Sequence, residues 1–261
     1  MPAAAWFQQV WDHRSVLWIL ARSDFHVRYK RASFGVLWAV AVPLLQAAVL
    51  AVVFSRLGIT RAASIEHYGL FVLSGVMAWA YWAPAVAAGS TAIVDGRQLT
   101  EKVWFPRALM PLVPAVAGLA GLCISMVILV VAVPVFGSSL SPDLLLLLPA
   151  SALLVGLTTA ITLVLSALHV YFRDVRFLVQ ATLVLLFYVT PVMYSADDLH
   201  ALGRWIDFNP LTGAITLFQR AVGEGTVHPR ALIVSVAFTA GASLLACAVH
   251  RRRDRLFVDL L

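Results

Sequence analysis

The stretch Tyr68–Val94, YGLFVLSGVMAWAYWAPAVAAGSTAIV, contains no charged side chain. A bilayer's hydrocarbon core takes roughly 20 apolar residues as a helix, so this stretch is long enough to cross one. Five more runs of the same kind flank it: Phe34–Ser55, Ala108–Phe136, Leu144–Ala167, Phe177–Ser195 and Ala231–Val249. None holds an Asp, Glu, Lys, Arg or His. Surface helices of soluble proteins carry a polar face, and these runs have none. With 61% hydrophobic and 12% charged residues, the chain holds more apolar side chain than a soluble core of its size can hide. The expected fold is therefore an all-α integral membrane protein with six transmembrane helices, its transmembrane domain spanning residues 34–261.

The cations fix the expected orientation. With both ends inside, Arg14, Arg22, Arg28, Lys30, Arg31, Arg97, Lys102, Arg107, Arg173, Arg176, Arg251, Arg252, Arg253 and Arg255 are cytoplasmic, and only Arg56, Arg61, Arg204, Arg220 and Arg230 are outside. Fourteen of the 19 Lys and Arg on one side is a positive-inside bias. The net charge of +6 is then a topological signal, and the basic tail Arg251–Arg255 an anchor rather than a nucleic-acid patch. Cys123 and Cys247 each sit alone in an apolar run, which suits packing rather than a metal or a disulfide. Met1–Ala5 lacks the basic start and apolar run of a cleavable signal, so the first span is expected to direct insertion.

Three segments between the runs have patterns of their own. In residues 1–33, Phe7, Val10, Trp11, Leu17, Trp18, Ala21 and Phe25 recur at helical spacing, with Gln8, Asp12, His13, Arg22 and His26 largely opposite. This predicts a cytoplasmic amphipathic helix lying on the inner leaflet or packed on a partner. In the loop Asp95–Arg107, Leu99, Val103 and Trp104 share one side of a short helix that Pro106 ends, forming a docking knob or a plain basic loop. In Ala196–Arg230, Leu211, Ala214, Ile215, Phe218 and Val222 keep helical spacing over too few residues to cross a bilayer, which predicts a re-entrant external hairpin before the last span. Prolines 43, 84, 111, 114, 134, 149 and 191 lie within or at the ends of spans, where kinks help shape a wide path.

Several chemistries find no footing. There is no Gly-x-x-x-x-Gly-Lys-Ser/Thr loop, so ATP and its magnesium ion belong on another polypeptide. Ion-coupled carriers usually place ionisable groups at mid-membrane, and the runs have none. A membrane enzyme acting on lipid-linked sugars needs clustered acids or histidines. Asp197, Asp198 and His200 read better as a solvated turn, and His169, Arg173 and Asp174 as a charged loop end.

Ordered short motifs complete the reading. Arg28-Tyr29-Lys30-x-x-x-Phe34-Gly35-x-Leu37-Trp38-x-x-x-x-Pro43, Leu99-x-x-Lys102-Val103-x-Phe105-Pro106-Arg107, Tyr171-Phe172-Arg173-Asp174, Thr190-Pro191-Val192-x-Tyr194, Asn209-Pro210-Leu211 and Arg255-x-Phe257-x-Asp259 follow one another along nearly the whole chain. This set resembles the ABC-2 type membrane subunits of bacterial polysaccharide exporters, which carry lipid-linked O-antigen, capsule or teichoic acid across the cytoplasmic membrane. The resemblance implies a homodimer enclosing a path, two cytoplasmic ABC ATPase subunits beneath it, an interface helix at the N-terminus, a coupling first loop and a hairpin capping the outer mouth. The family also holds exporters of drugs and other amphiphiles. On this reading Leu99, Glu101, Lys102, Val103, Trp104, Phe105 and Arg107 form the ATPase-coupling loop. Arg28, Lys30 and Arg31 stand at the cytoplasmic entrance, where cations attract a pyrophosphate head or anionic lipid. Trp38, Trp79, Tyr81, Trp82, Phe187, Tyr188 and Tyr194 offer sugar-stacking faces along the path, or else pack helices and mark interfaces.

Overall fold

The apolar runs become helices whose bounds their flanking residues set. The computed structural model describes residues 3–30, 34–57, 65–103, 105–199 and 203–253, and no strand occurs among them. In chain order the helices are α1 (Ala3–Asp12), α2 (Arg14–Tyr29), α3 (Trp38–Leu57), α4 (Tyr68–Asp95), α5 (Arg97–Lys102), α6 (Leu109–Val135), α7 (Leu147–Tyr171), α8 (Val175–Val189), α9 (Gly203–Ile206), α10 (Thr212–Ala221) and α11 (Pro229–Arg253). Five helical stretches are long and apolar enough to cross a membrane: Gly35–Arg56, Tyr68–Asp95, Leu109–Val135, Pro142–Tyr171 and Pro229–Arg251.

The fifth apolar run departs from its expected bounds. Read as Phe177–Ser195, it forms a helix only over the 15 residues Val175–Val189, a rise of about 22 Å, shorter than a hydrocarbon core. Thr190 is extended and Pro191 has no N–H to continue the ladder. The freed backbone groups find partners inside the protein. Tyr194 donates its hydroxyl to the Val189 carbonyl at 2.7 Å, and Gln219 of α10 donates its amide to the Pro191 carbonyl at 2.7 Å.

The other segments also refine their expectations. The N-terminal amphipathic region is two helices broken at His13, whose Nδ1 lies 2.8 Å from the Gln9 carbonyl oxygen. Its apolar stripe does not all face the bundle. Ala21 is buried and Val10 packs on Ala108, Leu163, Ala246 and Cys247, whereas Trp11 and Trp18 point away from the protein. Between α2 and α3 the chain turns at Gly35, whose φ of 51° is a left-handed value that favours glycine. Residues 31–33, where the expected boundary at residue 33 falls, lie outside the described set.

Helix α4 is the axis of the fold. In its most apolar window 72% is buried, and α3, α6, α7, α8 and α10 all pack on it. Small residues bring it close to its neighbours: a Cβ on Gly89 would lie 2.5 Å from a Thr162 methyl, so α4 and α7 meet almost backbone to backbone. One end of the bundle, the basic end, carries α1, α2, α5 and the α7–α8 turn, tied across by Arg176 and Asp95 at 3.6 Å. The opposite end carries α9 and α10.

That hairpin end is held by polar contacts. Helix α10 is buried along nearly its whole length, and Gly213 sits so close to α11 that a Cβ would lie 2.7 Å from the Ala231 carbonyl oxygen. Glu224, 2% exposed, accepts the backbone N–H groups of Glu66 and His67 at 2.8 and 3.0 Å. Those donors precede the first turn of α4, where a carboxylate also suits the helix dipole. Arg220 reaches Asp143 at 2.9 Å, and Asn209 donates to the Thr190 hydroxyl at 2.9 Å. Two motifs that look unrelated in the sequence, Thr190-Pro191 and Asn209-Pro210, are thus one contact.

Candidate functional site

The side of α4 that no neighbouring helix covers is built from small residues. Ala80, Ala83, Pro84 and Ala87 form the floor of a cavity of about 570 Å³. Its walls come from Phe25 and Arg28 of α2, Trp38, Val42, Pro43 and Gln46 of α3, Pro114, Gly118, Gly121 and Ser125 of α6, and Leu183 of α8. Five helices therefore contribute, and the glycines of α6 keep it open. A Cβ on Gly121 would meet nothing within 4 Å, and one on Gly118 would touch the Tyr81 ring at 3.0 Å.

Four residues that the sequence analysis assigned to separate roles meet here. Arg28 lies at the basic end, its Nη2 donating to Asp24 at 2.9 Å, and both side chains are partly exposed. Trp38, Trp79 and Tyr81 line the apolar part. Tyr81 is buried and donates its hydroxyl to the Ala115 carbonyl at 3.2 Å, which leaves the ring to the cavity. Trp79 meets Phe187 of α8 edge-on at 5.2 Å between centroids, and Phe187 meets Tyr188 at 5.6 Å. An aromatic row therefore runs from the cavity onto exposed Tyr188.

The remaining assigned residues stand elsewhere. Trp82 is buried behind Trp79, 5.1 Å between centroids, and its indole N–H has no hydrogen-bond partner among the described residues. Tyr194 spends its hydroxyl on the end of α8. Lys30 is exposed just after α2. Arg31, Trp104, His200 and the closing Arg255-x-Phe257-x-Asp259 motif lie outside the described residues. Two polar residues of the cavity carry no role in the sequence motifs, Gln46 and Ser125. An uncharged side chain inside an apolar run gives no local signal, although Gln46 is the one amide of its run.

The loop Asp95–Arg107 contains a helix, α5, only six residues long. Glu101 and Lys102 close it, and Val103 is already extended, so Val103 does not share a helical side with Leu99 as its spacing suggested. Leu99 and Val103 nevertheless both face outward, at 37% and 54% exposure. Phe105 turns inward and is buried, and one Arg107 Nη is buried without a hydrogen-bond partner among the described residues.

A helical bundle with five membrane-length apolar helices among the described residues, a buried short helix at one end and an aromatic cavity on the uncovered side of its central helix has the build of a polytopic membrane protein. Among the described residues, no group of three or more metal-ligating side chains occurs. Comparison with known proteins gives the family: the ABC-2 type transporter pattern matches residues 15–222, and the chain belongs to that family. It is 27% and 29% identical to two Klebsiella pneumoniae proteins, each named O-antigen export system permease protein RfbA. Each match covers 94% of this chain and 95% of the relative. A Myxococcus xanthus protein of the same name is 26% identical over 81% of this chain and 82% of its own length.

Proposed function

We propose that this chain is the membrane subunit of an ATP-driven exporter that moves a lipid-linked polysaccharide, of the O-antigen type, across the bacterial cytoplasmic membrane. The observation that carries this reading is the end-to-end similarity to proteins named as O-antigen export permeases, which leaves no large segment of either partner unmatched. Two copies enclose the path, and two ABC ATPase subunits dock beneath. Helix α8 with the stretch 190–195 serves as a sixth crossing, both termini are cytoplasmic, and α10 is a re-entrant element at the outer mouth.

The cavity fits this work. A glycan on a pyrophosphate lipid needs cations where its head waits and uncharged, stacking surfaces where its sugars slide. Arg28, Lys30 and Arg31 supply the first. Trp38, Trp79, Tyr81, Phe187 and Tyr188 supply the second, whereas Trp82 and Tyr194 support the wall from behind. At the basic end Leu99, Val103 and Trp104 meet the ATPase, flanked by Glu101, Lys102 and Arg107. Outward Trp11 and Trp18 seat the N-terminal helices in the inner leaflet, as tryptophans do at membrane interfaces.

Deleting the gene tests the reading. Surface polysaccharide is expected to disappear while its lipid-linked form accumulates inside. Unchanged surface polysaccharide with new sensitivity to an amphiphilic drug would reject the glycan cargo.

A further inference from the structure

Mid-span polar groups converge on the cavity from three helices. Gln46 lies near the centre of Gly35–Arg56, exposed, and its amide makes no hydrogen bond within the described residues. Ser125, near the middle of α6, lines the same cavity. Pro43 and Pro84 are both inside helices and both line the cavity. A proline inside a helix has no N–H for the carbonyl four residues earlier. The carbonyls so deprived belong to Ala39 and Ala80, which line the same cavity. In lipid, unpaired amides and carbonyls are costly, and helix breaks persist there where protein or a polar-filled cavity re-satisfies them.

We propose that Gln46, Ser125 and the carbonyl of Ala80 form a hydrogen-bonding subsite at mid-membrane that takes the hydroxyl groups of a sugar ring while the ring lies against Trp79. This rests on the glycan-export reading and goes beyond it, because it assigns contact to groups that stacking alone does not need. The chemistry suits a sugar. Carbonyls accept, the serine hydroxyl does both, and the amide both donates and accepts, as a row of sugar hydroxyls requires. No charge is present at this depth to hold the cargo in place, so each contact is weak and exchangeable, which a sliding chain needs.

The test uses the assembled complex with its ATPase, reconstituted in vesicles with lipid-linked glycan, in which the unaltered protein first has to export. Failure at that step would reject the export reading itself. Gln46→Leu, which removes the amide at similar volume, is expected to leave assembly of two copies intact and to lower export roughly two- to ten-fold, the worth of one net hydrogen bond. Gln46→Asn is expected to recover part of the loss, and Val49→Leu, on the exposed side of α3, to export normally. Gly121→Leu projects into the open cavity and is expected to slow export more than Gln46→Leu. Normal export by Gln46→Leu would overturn the subsite. So would separation of the two copies by Gln46→Leu, because the amide would then belong to an interhelical contact.

Discussion

Helices α10 and α3 both pack on α4, and they do so in opposite ways. Around α10 the polar side chains find partners within the same subunit: Gln219 on Pro191, Thr212 on Ile206, Asn209 on Thr190, Arg220 on Asp143. Along α3 only 11% of the most apolar window is buried, and Leu45, Val49 and Val52 face out. Lipid tails are as apolar as leucine, so this exposure costs nothing by itself. What separates the regions is polar satisfaction. Helix α10 is satisfied within one chain, whereas on the α3 side the Gln46 amide has no hydrogen-bond partner among the described residues.

The sharpest way to break this contrast is to unseat α10. Gly213→Leu forces a side chain into the Ala231 and Leu232 backbone, and is expected to cost about 3 kcal/mol or more. Detergent-solubilised protein should melt much earlier or fail to accumulate. An unshifted melting curve would mean that α10 is not locked on α11. A smaller effect is expected of Glu224→Ala, which removes the buried carboxylate that accepts the N–H groups of Glu66 and His67 and should lower stability by about 2 kcal/mol. Hydrogen exchange should then quicken at the first turn of α4 and around residues 220–228, with the basic end unchanged. Smallest of all, Leu45→Ala on α3 should shift stability by less than about 0.5 kcal/mol. A large loss there would show that α3 is packed far more tightly than its exposure indicates.

Lipid makes the spans easy to read and the contacts between them hard. Charge-free runs announce themselves, and Tyr68–Val94 and Ala108–Phe136 become α4 and α6 almost residue for residue. The turns depend on local chemistry with less reach. Pro191 ends α8 early, His13 splits the N-terminal helix, and Val103 leaves α5, each within a residue or two of a feature visible in the sequence but not decisive there. The site was legible in its aromatic residues and its cation, because those types are unusual where they stand. Its partition was not. Whether Tyr81 or Trp82 faces the cavity is a matter of one helical step, and periodicity cannot orient a helix that is apolar all round. Glu224 and Gln219 escaped for a different reason: each acts through a contact with residues far away in the chain.

The central claim is that this subunit supplies the path and another polypeptide the energy. The most direct measurement reconstitutes the purified chain in sealed vesicles, with and without its ABC ATPase, and follows ATP hydrolysis together with movement of a lipid-linked glycan across the bilayer. The account predicts neither activity from the chain alone and ATP-dependent movement once both proteins are present. Hydrolysis by the chain alone, or covalent change of the glycan in place of its movement, would contradict it.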